Sequence, residues 1–134
     1  MKTFGLDTNV VLRLILDDHP AQHSAALRFG AGLGKDYNAF LSLIALLELD
    51  WALRSQYGFQ RKDVAAIIGK LLRTRGLFVE NHTVVLKALR LIAAQNVDFA
   101  DALIACRSQE EGCDAIKTFD QKAAKRIPGM ELLA

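Results

Sequence analysis

Apolar residues alternate between short blocks and longer stretches with helical spacing. Thr3-Phe4-Gly5-Leu6 reads as a short buried strand. Val10 with Leu14, and Val11 with Ile15, fall four apart and predict a helix over residues 9–16. Pro20 suits the first turn of a second helix, which the glycines at 30, 32 and 34 end. Ala39-Phe40-Leu41 predicts a second strand, and residues 44–57 a long helix stopped by Gly58. Another helix follows over 62–73, then a strand at Leu77-Phe78-Val79 and a helix over 83–94. Residues 98–111 predict a helix ended by Gly112, and 115–119 a strand followed by a short basic helix. Met130-Glu131-Leu132 closes the pattern as an edge strand after Pro128-Gly129.

Short apolar strands alternating with helices predict the α/β class, a three-layer α/β/α sandwich with a mainly parallel central sheet. With 134 residues and no linker, repeat or low-complexity stretch, residues 1–134 are expected to form one domain. A chain that is 51% apolar with mixed charges is not a disordered tail, and a net charge of +2 does not by itself indicate a polyanion partner. No apolar run reaches the roughly 18 residues of a membrane span. The N-terminus enters its first strand without a basic region, long apolar segment and cleavage site, so a soluble cytoplasmic protein is expected. Cys106 and Cys113 lack metal-ligand spacing and read as buried reduced thiols.

Four acids change the picture. Asp7 follows the first strand, Glu48 interrupts the apolar stretch 43–49, Asp101 opens the run Ala102-Leu103-Ile104-Ala105, and Asp120 follows the strand 115–119. Carboxylates are rarely buried unless paired or bound to metal, so acids beside apolar segments suggest a shared pocket holding a divalent cation. Sites in open parallel sheets lie beyond the carboxyl ends of the strands, which gives Asp7 and Asp120 a topological reason to meet. Glu48 shares its helical stripe with Ile44, Ala45, Trp51 and Ala52 and is expected to face the core. Asp50, with Arg54 four residues on, reads as an ordinary exposed ion pair. Asp98 reads as a helix cap, and Asp101, with Ile104 and Ala105 on its face, as turned inward. Oxygen ligands without His or Cys favour Mg²⁺, or Mn²⁺, over zinc. His19 and His23, four apart with no third ligand nearby, read as solvated.

Leu6-Asp7-Thr8-Asn9-Val10-Val11-Leu12-Arg13, the stretch from Ser42 through Glu48-Leu49-Asp50-Trp51, Asp98-Phe99-Ala100-Asp101-Ala102-Leu103-Ile104-Ala105 and Thr118-Phe119-Asp120 span nearly the whole chain. In this order they resemble the PIN domain, in particular the VapC-like ribonuclease toxins of type II toxin–antitoxin pairs. The resemblance implies a Mg²⁺-dependent endoribonuclease with Asp7, Glu48, Asp101 and Asp120 as its catalytic and metal-binding quartet. Thr8 and Asn9 would support the site around Asp7, Thr118 would orient Asp120 or a water, and Asp98 matches a secondary acidic position. Gln121 stands where such proteins commonly carry a basic residue. The resemblance also implies a homodimer and a small antitoxin that blocks the acidic groove.

An acidic pocket repels RNA, so basic residues must hold the backbone. Lys122, Lys125 and Arg126 beyond Asp120, and Arg13 beyond Asp7, are the candidates, with Lys70, Arg73 and Arg75 as a further cluster. The apolar excess of residues 43–53 and 84–92 marks the expected dimer surface. Two other readings compete. Asp7 with Lys117 and Thr118 superficially suits an aspartyl-phosphate enzyme, but Asn9 stands where the phosphatase needs a second acid. A non-catalytic RNA-binding or scaffold module on the same fold has no need of the full quartet.

Overall fold

The apolar blocks become strands and the periodic stretches helices in the computed structural model, which describes residues 1–134. The order is β1 (Lys2–Gly5), α1 (Thr8–Ile15), α2 (Pro20–Ala31), β2 (Tyr37–Leu41), α3 (Leu43–Tyr57), α4 (Arg61–Leu72), β3 (Leu77–Val79), α5 (His82–Gln95), α6 (Phe99–Glu110), β4 (Ile116–Thr118), α7 (Gln121–Arg126) and β5 (Met130–Leu132). The class is α/β, with parallel strands and helices between them, as expected. Parallel neighbours cannot be joined by a tight hairpin, which is why helices fill every connection between strands. The chain gathers into two units, Met1–Gly58 with Lys70–Glu80, and Phe59–Gly69 with Asn81–Ala134.

The first unit holds a three-stranded parallel sheet ordered β1-β2-β3, with Lys2 opposite Tyr37 and Ala39 opposite Leu77. β2 is central, and its Ala39 and Leu41 are fully buried. α1 packs on α2 and on α3. Val11 and Leu12 of α1 and Leu46, Leu49 and Leu53 of α3 form the core there. The expected buried first strand is instead exposed along its length. β1 is an edge of this sheet, and its one large side chain, Phe4, lies against Tyr37 (5.5 Å) and Phe29 (6.4 Å). Ser42 caps α3 by accepting from the Ala45 N–H, and left-handed Gly58 (φ 71°) ends it.

Two further expectations fail in this unit. Asp50 is buried rather than on the surface, held by two 2.9 Å hydrogen bonds from Arg54. The expected pairing is present, but α3 is apolar almost all round and buries a face that the pattern does not single out. His23 is structural rather than solvated, its half-buried ring bonding the Arg13 carbonyl at 2.6 Å, whereas His19 is exposed as expected and also caps α2 by accepting from the Gln22 N–H.

In the second unit α5 packs on α6. Val84, Val85, Ala88 and Ile92 meet a core that includes Phe99, Ala102, Leu103 and Cys106. The apolar excess of 84–92 is thus largely used inside this unit. β4 and β5 pair in parallel around α7, with Lys117 opposite Glu131. α5 begins and ends at left-handed asparagines, Asn81 and Asn96, a residue type that tolerates that conformation. Cys106 is buried, and burial pushes its thiol pKa up; Cys113, expected to be buried, is exposed after the end of α6.

Candidate functional site

In the first unit Asp7 is the N-cap residue of α1, with extended backbone angles, yet its side chain makes no capping hydrogen bond. A carboxylate at a helix N-terminus is stabilised by the helix dipole, so Asp7 is held there without being consumed by the cap. Thr8 is buried, and its single hydroxyl proton has two acceptors within reach, the Ala45 carbonyl (3.4 Å) and Glu48 Oε1 (3.5 Å). That pair ties the start of α1 to α3 and places Glu48 one residue from Asp7 through Thr8. Glu80, which the sequence pattern leaves out although it too follows a strand, accepts from the Leu43 N–H at 3.0 Å.

Glu48 does not face the core. It is exposed, as are Ile44 (73%) and Trp51 (60%) on its stripe. The buried face of α3 runs instead through Leu46, Leu49, Asp50 and Leu53. Asp7 and Asp120 are exposed too. The expected pocket of buried carboxylates is therefore replaced by acids that water reaches, Asp7 and Asp120 at strand and helix ends and Glu48 within α3.

Asn9 lines a cavity of about 540 Å³ with Leu6, Val10, Arg13, Gln22 and Phe29. Arg13 is committed within this unit: it pairs with Asp18 (2.5 Å) and donates to Gln22 (3.0 Å), while the Tyr57 hydroxyl donates to Asp18. The Tyr57 bond is the main reason the Asp18 carboxyl lies below the usual carboxylate range, followed by Arg13. Arg13 thus braces α1 rather than standing free for a ligand.

In the second unit Asp98 caps α6 by accepting from the Asp101 N–H (3.4 Å). Asp120 caps α7, its Oδ1 accepting from the Ala123 N–H (3.0 Å), which leaves Oδ2 outside the cap. Thr118 Oγ1 accepts from the Asp120 N–H (3.0 Å), so it orients Asp120 through the backbone. Asp101 is half-buried and not fully turned inward, since Ile104 on its face is 53% exposed. Burial raises the Asp101 pKa most, then the charges of Asp98 and Asp120, while Arg61 lowers it. Arg61, which the sequence pattern does not flag, is anchored on the Asn96 carbonyl at 3.1 Å. Lys122, Lys125 and Arg126 are exposed on and after the first turn of α7. Lys117 pairs with Glu131 at 2.7 Å.

No three Asp, Glu, His or Cys side chains in either unit stand close enough to grip an ion as they are placed. The chemistry of the donor set nonetheless suits a hard cation: every candidate atom is a carboxylate oxygen, and in the second unit burial and then like charges raise the Asp101 pKa. A carboxyl whose folded pKa is raised contributes fully to stability below its unfolded pKa, and the contribution is lost as pH rises through the folded value. Asp120→Asn removes one repelling charge and keeps the cap, so it should bring the Asp101 pKa down and stabilise the fold near neutral pH. Carbon-detected NMR titration of the Asp101 carboxyl reads this directly; the same midpoint in both chains would show that the two carboxylates do not interact.

The sequence matches the family model for the PIN domain over residues 5–129. No curated protein matches it significantly. Among solved structures, it is similar to a toxin–antitoxin complex from Klebsiella pneumoniae, with 19% identity, 98% of this chain and 96% of that one covered, and a TM-score of 0.35. It is similar to VapC20 of Mycobacterium tuberculosis, described as a Sarcin-Ricin loop cleaving toxin, with 16% identity, coverage of 94% and 96%, and a TM-score of 0.43. A third likeness is to VapBC2 from Rickettsia felis bound to a DNA fragment from their promoter, with 17% identity, coverage of 98% and 99%, and a TM-score of 0.39.

Proposed function

The chain belongs to the PIN domain family, and from that premise we propose that it is a Mg²⁺-dependent endoribonuclease, the toxin of a type II toxin–antitoxin pair. The family match runs across both units, and we take residues 1–134 as a single nuclease domain. The reading is carried by the placement of Asp101, half-buried at the start of α6 near Asp98 and Asp120: burial raises its pKa most and the two neighbouring carboxylates add to that, an arrangement that a bound cation relieves. Asp7, Asp101 and Asp120 would hold Mg²⁺, or Mn²⁺, with Glu48 binding a second ion or taking a proton from the attacking water. Bound there, a divalent ion supplies an acidified water and charge stabilisation at the leaving oxygen.

The remaining roles fall to this chain's own side chains. Thr8 holds Glu48 by its hydroxyl, Asn9 flanks Asp7, Thr118 fixes the backbone of Asp120, and Asp98 caps the helix that presents Asp101. Exposed Lys122, Lys125 and Arg126 would hold RNA phosphates beside Asp120. Arg13 is the weakest of the RNA contacts because Asp18 already occupies it. A small antitoxin would cover the acids. For the homodimer, the apolar side chains left on α3 are Ile44 and Trp51. Light scattering on an eluting size-exclusion peak should read a dimer for the chain and a monomer for Ile44→Lys/Trp51→Lys; a monomer for both removes this part.

The test of the function is RNA cleavage by the purified chain with Mg²⁺ and with a chelator, and mapping of the cut ends. Cleavage that persists in the chelator would overturn the metal-dependent reading. Growth arrest on expression, relieved by the gene beside it, would support the toxin assignment.

A further inference from the structure

We infer that the amino end of the three-stranded sheet is a second RNA contact, a surface for backbone phosphates formed by Lys2, Lys35, Arg73 and Arg75. This rests on the endoribonuclease reading and adds where the substrate runs. Lys2 is in register with Tyr37 on one side of β2, and the Ala39 N–H donates to the Gly76 carbonyl on the other (2.8 Å), which sets Arg75 near the level of Tyr37. With strands about 4.8 Å apart, the Lys2 and Arg75 backbones lie about 10 Å from each other across β2.

The loops that carry the other cations are locked. The Gly34 N–H donates to the Tyr37 carbonyl (2.8 Å) and the Leu77 N–H to the Thr74 carbonyl (3.2 Å), closing a tight turn before each strand. Gly34 and Gly76 are both left-handed, at φ 76° and 77°. A side chain added at Gly76 would place its Cβ 2.3 Å from the Gly34 nitrogen, so the two turns touch backbone to backbone. The Arg75 stem lies over Gly34 in turn, where an added Cβ would meet its Cγ at 2.6 Å. Lys35, Arg73 and Arg75 are therefore presented together rather than on independent loops.

All four cations are exposed, and none is in an ion pair. Asp36 is the one acid among them, so four positive charges less one negative leave +3. Their spacing is close to the screening length of about 10 Å at 0.1 M salt, so their repulsion is only partly screened, and a polyanion would relieve it. Tyr37, the aromatic ring at the centre, is stacked on Phe29 at 4.9 Å, and its hydroxyl donates to the Phe29 carbonyl. No free ring is left to stack a base, which makes this a phosphate contact without sequence readout. Asp7 lies at the other end of β1. Five residues of extended chain from Lys2 span about 17 Å, or about five nucleotides at about 3.4 Å each. Only an RNA that runs at least that far from the acids can reach both ends.

The test uses Asp7→Asn chains without Mg²⁺, so that cleavage plays no part. Binding of a fluorescein-labelled single-stranded RNA of about 30 nucleotides is followed by anisotropy as salt is raised. Lys35→Ala/Arg73→Ala/Arg75→Ala should flatten the slope of log K against log salt by about 2, at about 0.7 per lost phosphate contact. Arg73→Lys/Arg75→Lys, which keeps the charges, should leave the slope as it was. Because Arg75 packs on Gly34, Lys2→Ala/Lys35→Ala/Arg73→Ala gives the same reading if the first variant does not fold. An RNA of about four nucleotides is too short to reach both ends at once and should bind the unsubstituted surface more weakly than the long RNA does. An unchanged slope on the long RNA overturns the proposal, including the case in which the patch serves an acidic protein instead. Cleavage of the short RNA by the chain with Asp7 intact reports separately on the nuclease reading.

Discussion

Asp7→Asn is expected to lower Mg²⁺-dependent RNA cleavage by about 10²- to 10⁴-fold, the range for removing one group that acts only on the reacting centre. The substitution is nearly isosteric. Asp7 is exposed and its side chain makes no capping hydrogen bond, so the fold loses nothing it depends on. The change in stability should stay within about 0.5 kcal/mol, as for an ordinary surface position. Asp120→Asn should behave alike, because asparagine still accepts from the Ala123 N–H. Asp98→Asn is the control. It keeps the cap on Asp101 and should cost less activity, since Asp98 acts on its neighbour more than on the substrate. Initial rates on a labelled RNA, with circular dichroism to confirm folding, decide the matter. An Asp7→Asn chain within about threefold of the parent rate would place the chemistry elsewhere.

The elements were legible because their signals are local. Ser42 at the start of α3 and Gly58 at its end, Pro20 at the start of α2, and Asp98 three residues before Asp101 are capping chemistry, readable from adjacent residues. The positions of Asp7 and Asp120 at the ends of strands followed from the same reading. Direction was harder. α3 carries Leu43, Ile44, Leu46, Leu47, Leu49 and Leu53 around most of its circumference, so periodicity did not say which side packs. That one ambiguity underlies both reversals on this helix: the pattern points Glu48 inward and Asp50 outward, whereas Glu48 is exposed and Asp50 buried. β1 failed for a different reason. A strand's place at an edge depends on its non-local partners, and nothing in Thr3-Phe4-Gly5-Leu6 records which side of β2 is taken. The amino-end cations were visible as residues but not as a group, because Lys2, Lys35 and Arg75 meet only through strand register.

The reversal at Asp50 leads to the largest expected effect on stability. Asp50 is 3% exposed, one of two buried polar side chains, and both its oxygens are satisfied by Arg54 in a bidentate pair. Removing the cation leaves a carboxylate that is desolvated and unpaired, a loss of about 3–5 kcal/mol for a fully buried pair. The Arg54 side chain is 28% exposed, so water can partly replace it, and Arg54→Ala should cost about 3 kcal/mol, the lower end of that range. Asp50→Leu/Arg54→Met replaces the pair by apolar groups of similar size and should recover most of the loss, because neither charge is then left without its partner. Urea denaturation of the three chains measures both numbers. A cost below about 1 kcal/mol for Arg54→Ala would mean that Asp50 finds water or another donor when the guanidinium is gone. A double variant no better than the single one would mean that the pair does more than neutralise itself, with the hydrogen bonds fixing how α3 lies against the sheet.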